Sequence, residues 1–384
     1  MRKICVVITA RASYSRIKTV LVAIKQHSDL NLQLVVTGSA LLEKYGSVVD
    51  QIKKDGFEIT ARLFNVLEGN QPLISAKTCG LALTELPTVL ANLKPDLVVT
   101  IADRFETIAT AVASAVMNIP LVHIQGGEIT GNIDDKIRHA VTQLADFHFV
   151  ASENAKARVL RMRDGGNNVY NTGCPSIDIA AEIIKNPALN FDPFMIYGGV
   201  GPVFDYNKGY LVVMQHPVTK EYSLSQNQII STYKAIVALG IPTFWFWPNP
   251  DSGTDGIAKG LRIFRELNPD SPTHFFKNIE PVHFLKLLKN ASCLIGNSSV
   301  GIRECSFLGI PVVNIGSRQT GRERGNNVVD VNYDPAAITN AIKFQIGHGA
   351  YEPDFIYGKG HSGEKIASLL ATIPITSDNA ASYE

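Results

Sequence analysis

The chain has 384 residues, 45% of them hydrophobic and 18% charged, and 36 Lys and Arg against 35 Asp and Glu leave a formal net charge of +1. Such a length exceeds one ordinary core and suits two globular domains, and so apolar a composition excludes a disordered or fibrous chain. The even charge balance argues against a dedicated nucleic-acid or membrane-surface binder, both of which need a basic excess, so any anionic ligand must be met by local groups.

The first predicted element is the strand "ICVVIT" (4–9). The apolar run there is too short for a secretory signal, and no run in the chain approaches the length of a membrane span. The strands "LQLVVTG" (32–38), "DLVVTIA" (96–102), "PLVHIQG" (120–126) and "FHFVAS" (147–152) follow, with amphipathic stretches at 13–26, 41–54, 76–93 and 104–117. Nearly continuous β-branched runs suit parallel strands covered on both faces, and their alternation with helical periodicity predicts a doubly wound sheet. From 174 to 209 the pattern breaks into Pro, Gly and aromatic residues, read as a linker. A second series then runs through "YLVVMQHP" (210–217), "PTFWFWPN" (242–249), "THFFKN" (273–278), "CLIGNS" (293–298) and "PVVNIG" (311–316), and residues 362–373 read as one helix starting near Ser362 or Gly363. The expected architecture is α/β, with two Rossmann-like domains whose parallel sheets face a central cleft. The domains are an N-terminal one at 1–185 and a C-terminal one at 186–365, with a helix and tail at 366–384 packing back on the first. The five cysteines (Cys5, Cys79, Cys174, Cys293, Cys305) are scattered and form no C-x-x-C pair, which speaks for free thiols in a reducing cytoplasm and against a zinc site.

Neither a G-x-G-x-x-G nor a G-x-x-x-x-G-K-[ST] loop follows any predicted strand, which disfavours a tightly held NAD or an ATPase. The chemistry must then be sought just beyond the strand ends. After the first strand, Arg11 and Ser13 stand at a strand–helix junction, where they either meet an anion or serve as a solvated arginine and an N-cap. Asp103 and Arg104 follow "DLVVTIA", and the acid either caps the next helix or acts on a ligand. "IQGGEITGNIDDKIRHA" (124–140) gathers Gln125, Glu128, Asp134 and Asp135 on a Gly-rich loop ahead of a basic, helix-like stretch with Lys136, Arg138 and His139. A solvated surface loop is one reading of it, and a set of proton-handling groups is the other. His216 ends the strand "YLVVMQHP" as an acid, base or phosphate ligand, or as a structural histidine.

The sharpest signal is "CLIGNSSVGIREC" (293–305). A strand runs into Gly296, Asn297, Ser298 and Ser299, and a helix carrying Gly301 and Glu304 follows. Unpaired N–H groups and two hydroxyls there suit a diphosphate, with Glu304 accepting from ribose hydroxyls, unless they simply cap the helix. "GSRQTGRERG" (316–325) adds Arg318, Arg322 and Arg324. Together these residues describe a nucleotide-sugar site. The second domain holds UDP or a similar carrier, and the first turns Asp103, Arg11 and the acidic loop toward the sugar.

Six segments, "TARASYS", "ADRFET", "HIQGGEITGNIDDKIRHA", "MQHPVT", "GNSSVGIRE" and "GSRQTGRERGNNVVDV", resemble in order the hydrolysing UDP-N-acetylglucosamine 2-epimerases of bacterial sialic acid synthesis. The resemblance covers residues 1 to about 370. It implies a GT-B fold, conversion of UDP-GlcNAc and water to UDP and N-acetylmannosamine through 2-acetamidoglucal, no cofactor and no metal, and a homodimer or dimer of dimers. Carried over by motif, the catalytic residues are Asp103, Asp134 and His216, with Gln125 where close relatives have a third carboxylate. Since an amide cannot transfer protons as a carboxylate does, either Gln125 only positions the sugar, or Glu128 takes its work, or the substrate differs. Ligand contacts fall on Arg11, Ser13, Arg104, Asn249, Gly296, Asn297, Ser298, Ser299, Gly301, Glu304, Arg318 and Arg322. A sibling family acting on UDP-2,4-diacetamido-2,4,6-trideoxyglucose, a GT-B glycosyltransferase, a non-hydrolysing epimerase that returns UDP-N-acetylmannosamine, and a nucleotide-sugar sensor without turnover are the competing readings.

Overall fold

The computed structural model describes residues 1–42, 48–69, 71–101, 103–131, 133–248 and 253–375, and two compact units emerge from it. The first comprises Met1–Ile129, Asp134–Asp178 and the chain from Tyr357 onward; the second comprises Thr130–Ile133 and Ile179–Ile356.

The strands of the first unit are β1 (Arg2–Ile8), β2 (Leu30–Thr37), β3 (Ala61–Leu63), β4 (Leu97–Ile101), β5 (Leu121–Ile124), β6 (Phe147–Val150) and β7 (Val169–Asn171). They form one parallel sheet in the order β3-β2-β1-β4-β5-β6-β7. Alternation along β1 explains why both faces are covered. Ile4, Val6 and Ile8 enter one core with Ile17, Leu21, Ile366 and Leu370, while Cys5 and Val7 enter the other with Leu86, Leu90, Ala111 and Val141. Two successive side chains pointing to opposite faces is the period of a strand, and a run apolar at every position therefore needs helices on both sides. The C-terminal helix Ser362–Thr372 packs on the helix Arg11–Gln26, and Arg2 Nη1 donates to the Leu370 and Ile373 carbonyls (2.5 and 3.0 Å).

The second unit carries β8 (Leu211–Met214), β9 (Thr243–Phe246), β10 (Thr273–Phe276), β11 (Cys293–Gly296), β12 (Val312–Ile315) and β13 (Val328–Val331). These are parallel in the order β10-β9-β8-β11-β12-β13. Each sheet reverses its winding once, between β1 and β4 in the first and between β8 and β11 in the second. At such a point two neighbouring loops run apart and leave room beyond the carboxyl ends of the strands.

The structure departs from the sequence reading in several places. Three short edge strands, β3, β7 and β13, were not expected; each is paired on one side only and at least partly exposed, so the apolar signal is weak. The stretch 174–209 is not an irregular linker throughout. It holds the helices Pro175–Lys185 and Pro193–Tyr197, both begun by a proline at the first turn, and Ile177, Ala180 and Ile183 are buried at helical spacing. The helix read from 41 is described from Val48 to Lys54, and residues 43–47 lie outside the described residues. The predicted strands also end one to three residues early, which puts Thr9, Gln125, Ser152 and Asn297 in loops.

Candidate functional site

In the first unit the loops beyond β1 and β4 flank the reversal of winding. Beyond β1, the helix Arg11–Gln26 starts directly at Arg11, with Ala10 as its N-cap and no side-chain cap. The capping reading of Ser13 is therefore corrected: it is buried inside the first turn, with its hydroxyl 3.4 Å from that of Thr9. Arg11 is not freely solvated either, and burial pulls its guanidinium below the ordinary arginine range.

Beyond β4, Asp103 does not cap the next helix, which begins at Thr107 after Glu106. The residue is 8% exposed, and its carboxylate pairs with the Arg138 guanidinium, while Arg16 Nη1 stands 3.8 Å from its other oxygen. Arg104 forms a two-pronged pair with buried Glu106, through Nε to Oε2 and Nη2 to Oε1 at 3.1 Å each.

The acidic stretch folds differently from a single loop. Gln125 follows β5 in the left-handed region (φ 65°), is fully buried, and donates from Nε2 to Cys174 Sγ at 2.9 Å, while its Oε1 has no hydrogen-bond partner among the described residues. Gly127 (φ 79°) lies so close to the Ala155 carbonyl that a Cβ would sit 2.5 Å from that oxygen, so the glycine serves close packing rather than an open loop. Glu128 is 4% exposed, and its carbonyl accepts from Arg138 Nη1 at 2.7 Å. Asp134 and Asp135 belong to the first turn of the helix Ile133–Leu144, where the positive end of the helix dipole favours carboxylates. Arg138, one turn on, reaches back from Nη1 to Asp135 Oδ1 at 2.5 Å.

In the second unit the loops beyond β8 and β11 are tied to each other. Asn297 is fully buried, and its amide grips the backbone of His216: Oδ1 accepts from the His216 N–H (2.7 Å) and Nδ2 donates to its carbonyl (2.9 Å). The Asn297 N–H donates to the Met214 carbonyl at 3.1 Å. Gly296 (φ 132°) permits this approach, since a Cβ there would lie 2.1 Å from the same Met214 oxygen. Asn297 was expected among the ligand contacts; its side-chain amide bonds the His216 backbone. Its carbonyl accepts from Arg318 Nη1 (3.1 Å) and Gln319 Nε2 (2.9 Å), which anchors the basic loop beyond β12 to the same point.

The helix expected after Ser298 is two short pieces, Ser299–Ile302 and Glu304–Leu308, broken at Arg303. Ser298 caps the first through a 3.4 Å bond from the Val300 N–H. Gly301 points at the sheet, where a Cβ would meet Val312 at 2.9 Å, and so serves helix–strand packing. A single turn carries little macrodipole, so anion binding here would rest on N–H groups, hydroxyls and arginines. Ser317 donates to Glu221, which also accepts from Gln228 Nε2 (2.6 Å). Arg324 pairs with Asp330, whereas buried Arg322 offers its carbonyl to Arg324 Nε at 3.2 Å. Burial and the neighbouring Glu221 charge push the Tyr333 hydroxyl well above the ordinary tyrosine range. Asn249 lies outside the described residues.

Asp103, Gln125, Glu128, Asp134, Arg11, Ser13 and Arg104 thus belong to the first unit, and His216, Gly296, Asn297, Ser298, Ser299, Gly301, Glu304, Arg318 and Arg322 to the second. Arg16, Cys174, Gln319 and Tyr333 were missed. No local motif marks them, because each matters through a partner distant in sequence. Arg138 and Asp135 stood in the quoted stretch, but a helix–loop contact had to show their use.

Two doubly wound parallel sheets, each with polar groups gathered at its reversal point, define a two-domain α/β protein of the GT-B type. The crystal structure of UDP-GlcNAc 2-epimerase from Neisseria meningitidis, solved bound to UDP-GlcNAc, superposes with a TM-score of 0.76 at 18% identity, over 96% of this chain and 99% of that one. The pattern of the UDP-N-acetylglucosamine 2-epimerase family matches residues 22–371, and the chain belongs to that family. It is 34% identical over 378 residues to UDP-N,N'-diacetylbacillosamine 2-epimerase (hydrolyzing) of Legionella pneumophila subsp. pneumophila, covering 98% of this chain and 97% of that protein. It is 30% identical over 373 residues to UDP-N-acetylglucosamine 2-epimerase of Neisseria meningitidis serogroup B, covering 96% and 95%. No helix among the described residues is long and apolar enough to cross a membrane.

Proposed function

We propose that this chain is a hydrolysing 2-epimerase that converts UDP-GlcNAc and water to UDP and N-acetylmannosamine for sialic acid synthesis. A carboxylate takes the proton from C2, and the C1–O bond breaks with its electron pair leaving on UDP, which yields 2-acetamidoglucal. Water then adds its hydroxyl to C1, and a proton returns to C2 from the opposite face. The observation that carries this reading is the buried Asp103 carboxylate beyond β4, held between Arg138 and Arg16 rather than spent on a helix cap. A carboxylate shielded from bulk water and fixed in place by its partners can be presented to a bound sugar in one orientation, as a general base requires. Asp134 and Glu128 are the further proton-handling groups in this scheme, and Arg11, Ser13 and Arg104 line the sugar side. His216, Ser298, Ser299, Glu304, Arg318 and Arg322 would meet UDP, where N–H groups and guanidinium take up the charge developing on the leaving diphosphate. Gln125 has its amide nitrogen occupied by Cys174, so its assigned task is positioning, with proton transfer left to the carboxylates.

The hydrolysing outcome is supported by the hydrolyzing activity for which the Legionella relative is named. That same relative favours a second reading of the substrate, a UDP-2,4-diacetamido-2,4,6-trideoxyhexose, with the chemistry unchanged. Proton NMR of the purified protein with each UDP-sugar in heavy water tests both. Free UDP with N-acetylmannosamine deuterated at C2 supports the first substrate, and free UDP with 2,4-diacetamido-2,4,6-trideoxymannose deuterated at C2, formed from the diacetamido sugar alone, supports the second. UDP-N-acetylmannosamine with the nucleotide still attached would overturn the hydrolysing assignment, and no turnover of either would overturn the enzyme assignment.

A further inference from the structure

Arg138 lies on the helix Ile133–Leu144 and is 1% exposed. Its guanidinium joins three segments of the first unit. Nη2 pairs with Asp103 beyond β4, and Nη1 reaches both the Glu128 carbonyl beyond β5 (2.7 Å) and Asp135 in the first turn of its own helix (2.5 Å). The Glu128 side chain adds a third negative charge in range. Burial alone would lower the arginine's proton affinity, but the carboxylates of Asp103, Glu128 and Asp135 outweigh it and keep the charge in place. His139, the next residue, is held below the ordinary histidine range by burial and then by Arg138, so it adds no second cation at neutral pH. Arg16 also stands near Asp103, at 3.8 Å against the direct pair made by Arg138.

A buried cation with a rigid planar fork does two things that a lysine cannot do together. It satisfies acceptors on separate loops at fixed angles, and it compensates carboxylates that would otherwise stand uncompensated in a low dielectric. We propose that Arg138 is the positioning residue of the reaction, aligning Asp103 with the loop that carries Glu128 and holding Asp103 ionised as a base. The inference rests on the epimerase reading given above. Arg138 itself touches no reacting atom in this scheme and acts through Asp103.

The test compares wild type with Arg138→Met and Arg138→Lys in the full-length chain. Turnover with the active UDP-sugar is expected to fall roughly hundredfold in Arg138→Met, the loss typical of a slightly misplaced catalytic group, while KM stays within a few-fold. The acid limb of its kcat/KM profile moves to higher pH, and Arg138→Lys recovers most of that pH shift but not all of kcat. A purely structural arginine would lower Tm and leave the limb in place. The carboxyl 13C titration of Asp103, assigned by difference with Asp103→Asn, reads the same effect without turnover. Its midpoint is expected to rise in Arg138→Met, and if that variant does not fold, a smaller rise in Arg138→Lys carries the test. An unchanged Asp103 midpoint in the folded variant overturns the proposal. Wild-type inactivity on every UDP-sugar overturns the epimerase reading instead, while the titration still decides what Arg138 does to Asp103.

Discussion

Asp103 pairs with Arg138, stands near Arg16 and is almost closed to water, an arrangement whose chemical use can be separated from its contribution to folding. Asparagine has nearly the same shape and still accepts from Arg138 through Oδ1, so the packing survives, but it cannot take up a proton. Asp103→Asn is therefore expected to melt within a few degrees of wild type while kcat drops by a factor of about 10² to 10⁴, the range set by loss of a general base. Steady-state release of UDP against a thermal melt of the same preparation checks both halves. Activity within threefold of wild type would remove Asp103 from the mechanism. The neighbouring Gln125 shows the limit of argument at this scale. Its left-handed backbone, its bond to Cys174 and its unpartnered Oε1 describe a constrained amide, and constrained residues of this kind gather at functional sites.

Among the elements, the junction of β8 with β11 illustrates how two strand ends become one unit. Asn297 has both ends of its amide on the His216 backbone, and its carbonyl receives Arg318 and Gln319. Removing the amide leaves a buried N–H and carbonyl unsatisfied, which costs about 1–3 kcal/mol. Asn297→Ala is thus expected to lower the urea midpoint and to raise KM for the UDP-sugar more than it lowers kcat. Asn297→Asp keeps the acceptor for the His216 N–H and loses the donor, so an intermediate loss is expected. Equal KM values in all three proteins would show that His216 is held by something else. The broken helix that follows is a lesson of the same scale. Ser299–Ile302 and Glu304–Leu308 are too short to act as one dipole, although the residues between 299 and 308 carry no proline to announce the break.

For the whole molecule, the two-sided burial of the first sheet has a pH consequence. His148 on β6 stands beside His123 on β5, is 1% exposed, and neither of its ring nitrogens has a hydrogen-bond partner among the described residues. Burial, with smaller contributions from His123 and Arg163, draws its pKa down to about 3. The unfolded chain takes up that proton near the ordinary value of 6.5 and the folded chain does not, so the unfolded state binds more protons throughout the interval between them. Stability is therefore lost as pH falls from about 6.5 toward about 3, at up to about 1.4 kcal/mol per pH unit from this side chain. Urea unfolding between pH 6.5 and 4 is expected to show that slope flattened in His148→Leu. A variant with the wild-type slope would place the acid sensitivity elsewhere.

Several features were already determined by the order of residues. Uninterrupted β-branched runs such as "ICVVIT" and "DLVVTIA" demand cover on both faces, and their alternation with helical stretches leaves a doubly wound sheet as the economical packing. The six matched segments carried the family, which the full-length relatives bear out. What lay beyond the sequence was partnership. Edge strands β3, β7 and β13 exist because a neighbour accepts their hydrogen bonds, and their half-exposed residues leave little apolar pattern to read. The helix Pro175–Lys185 was legible from Pro175 and the spacing of Ile177, Ala180 and Ile183, but the glycines and aromatics after it masked the signal. Asp103, Arg138 and Glu128 meet only when β4, β5 and the helix beyond them are side by side. Which acid is a cap, which asparagine is a clamp and which arginine is a counter-ion depends on distances across the fold, and local sequence carries residue types and spacings but no such distances.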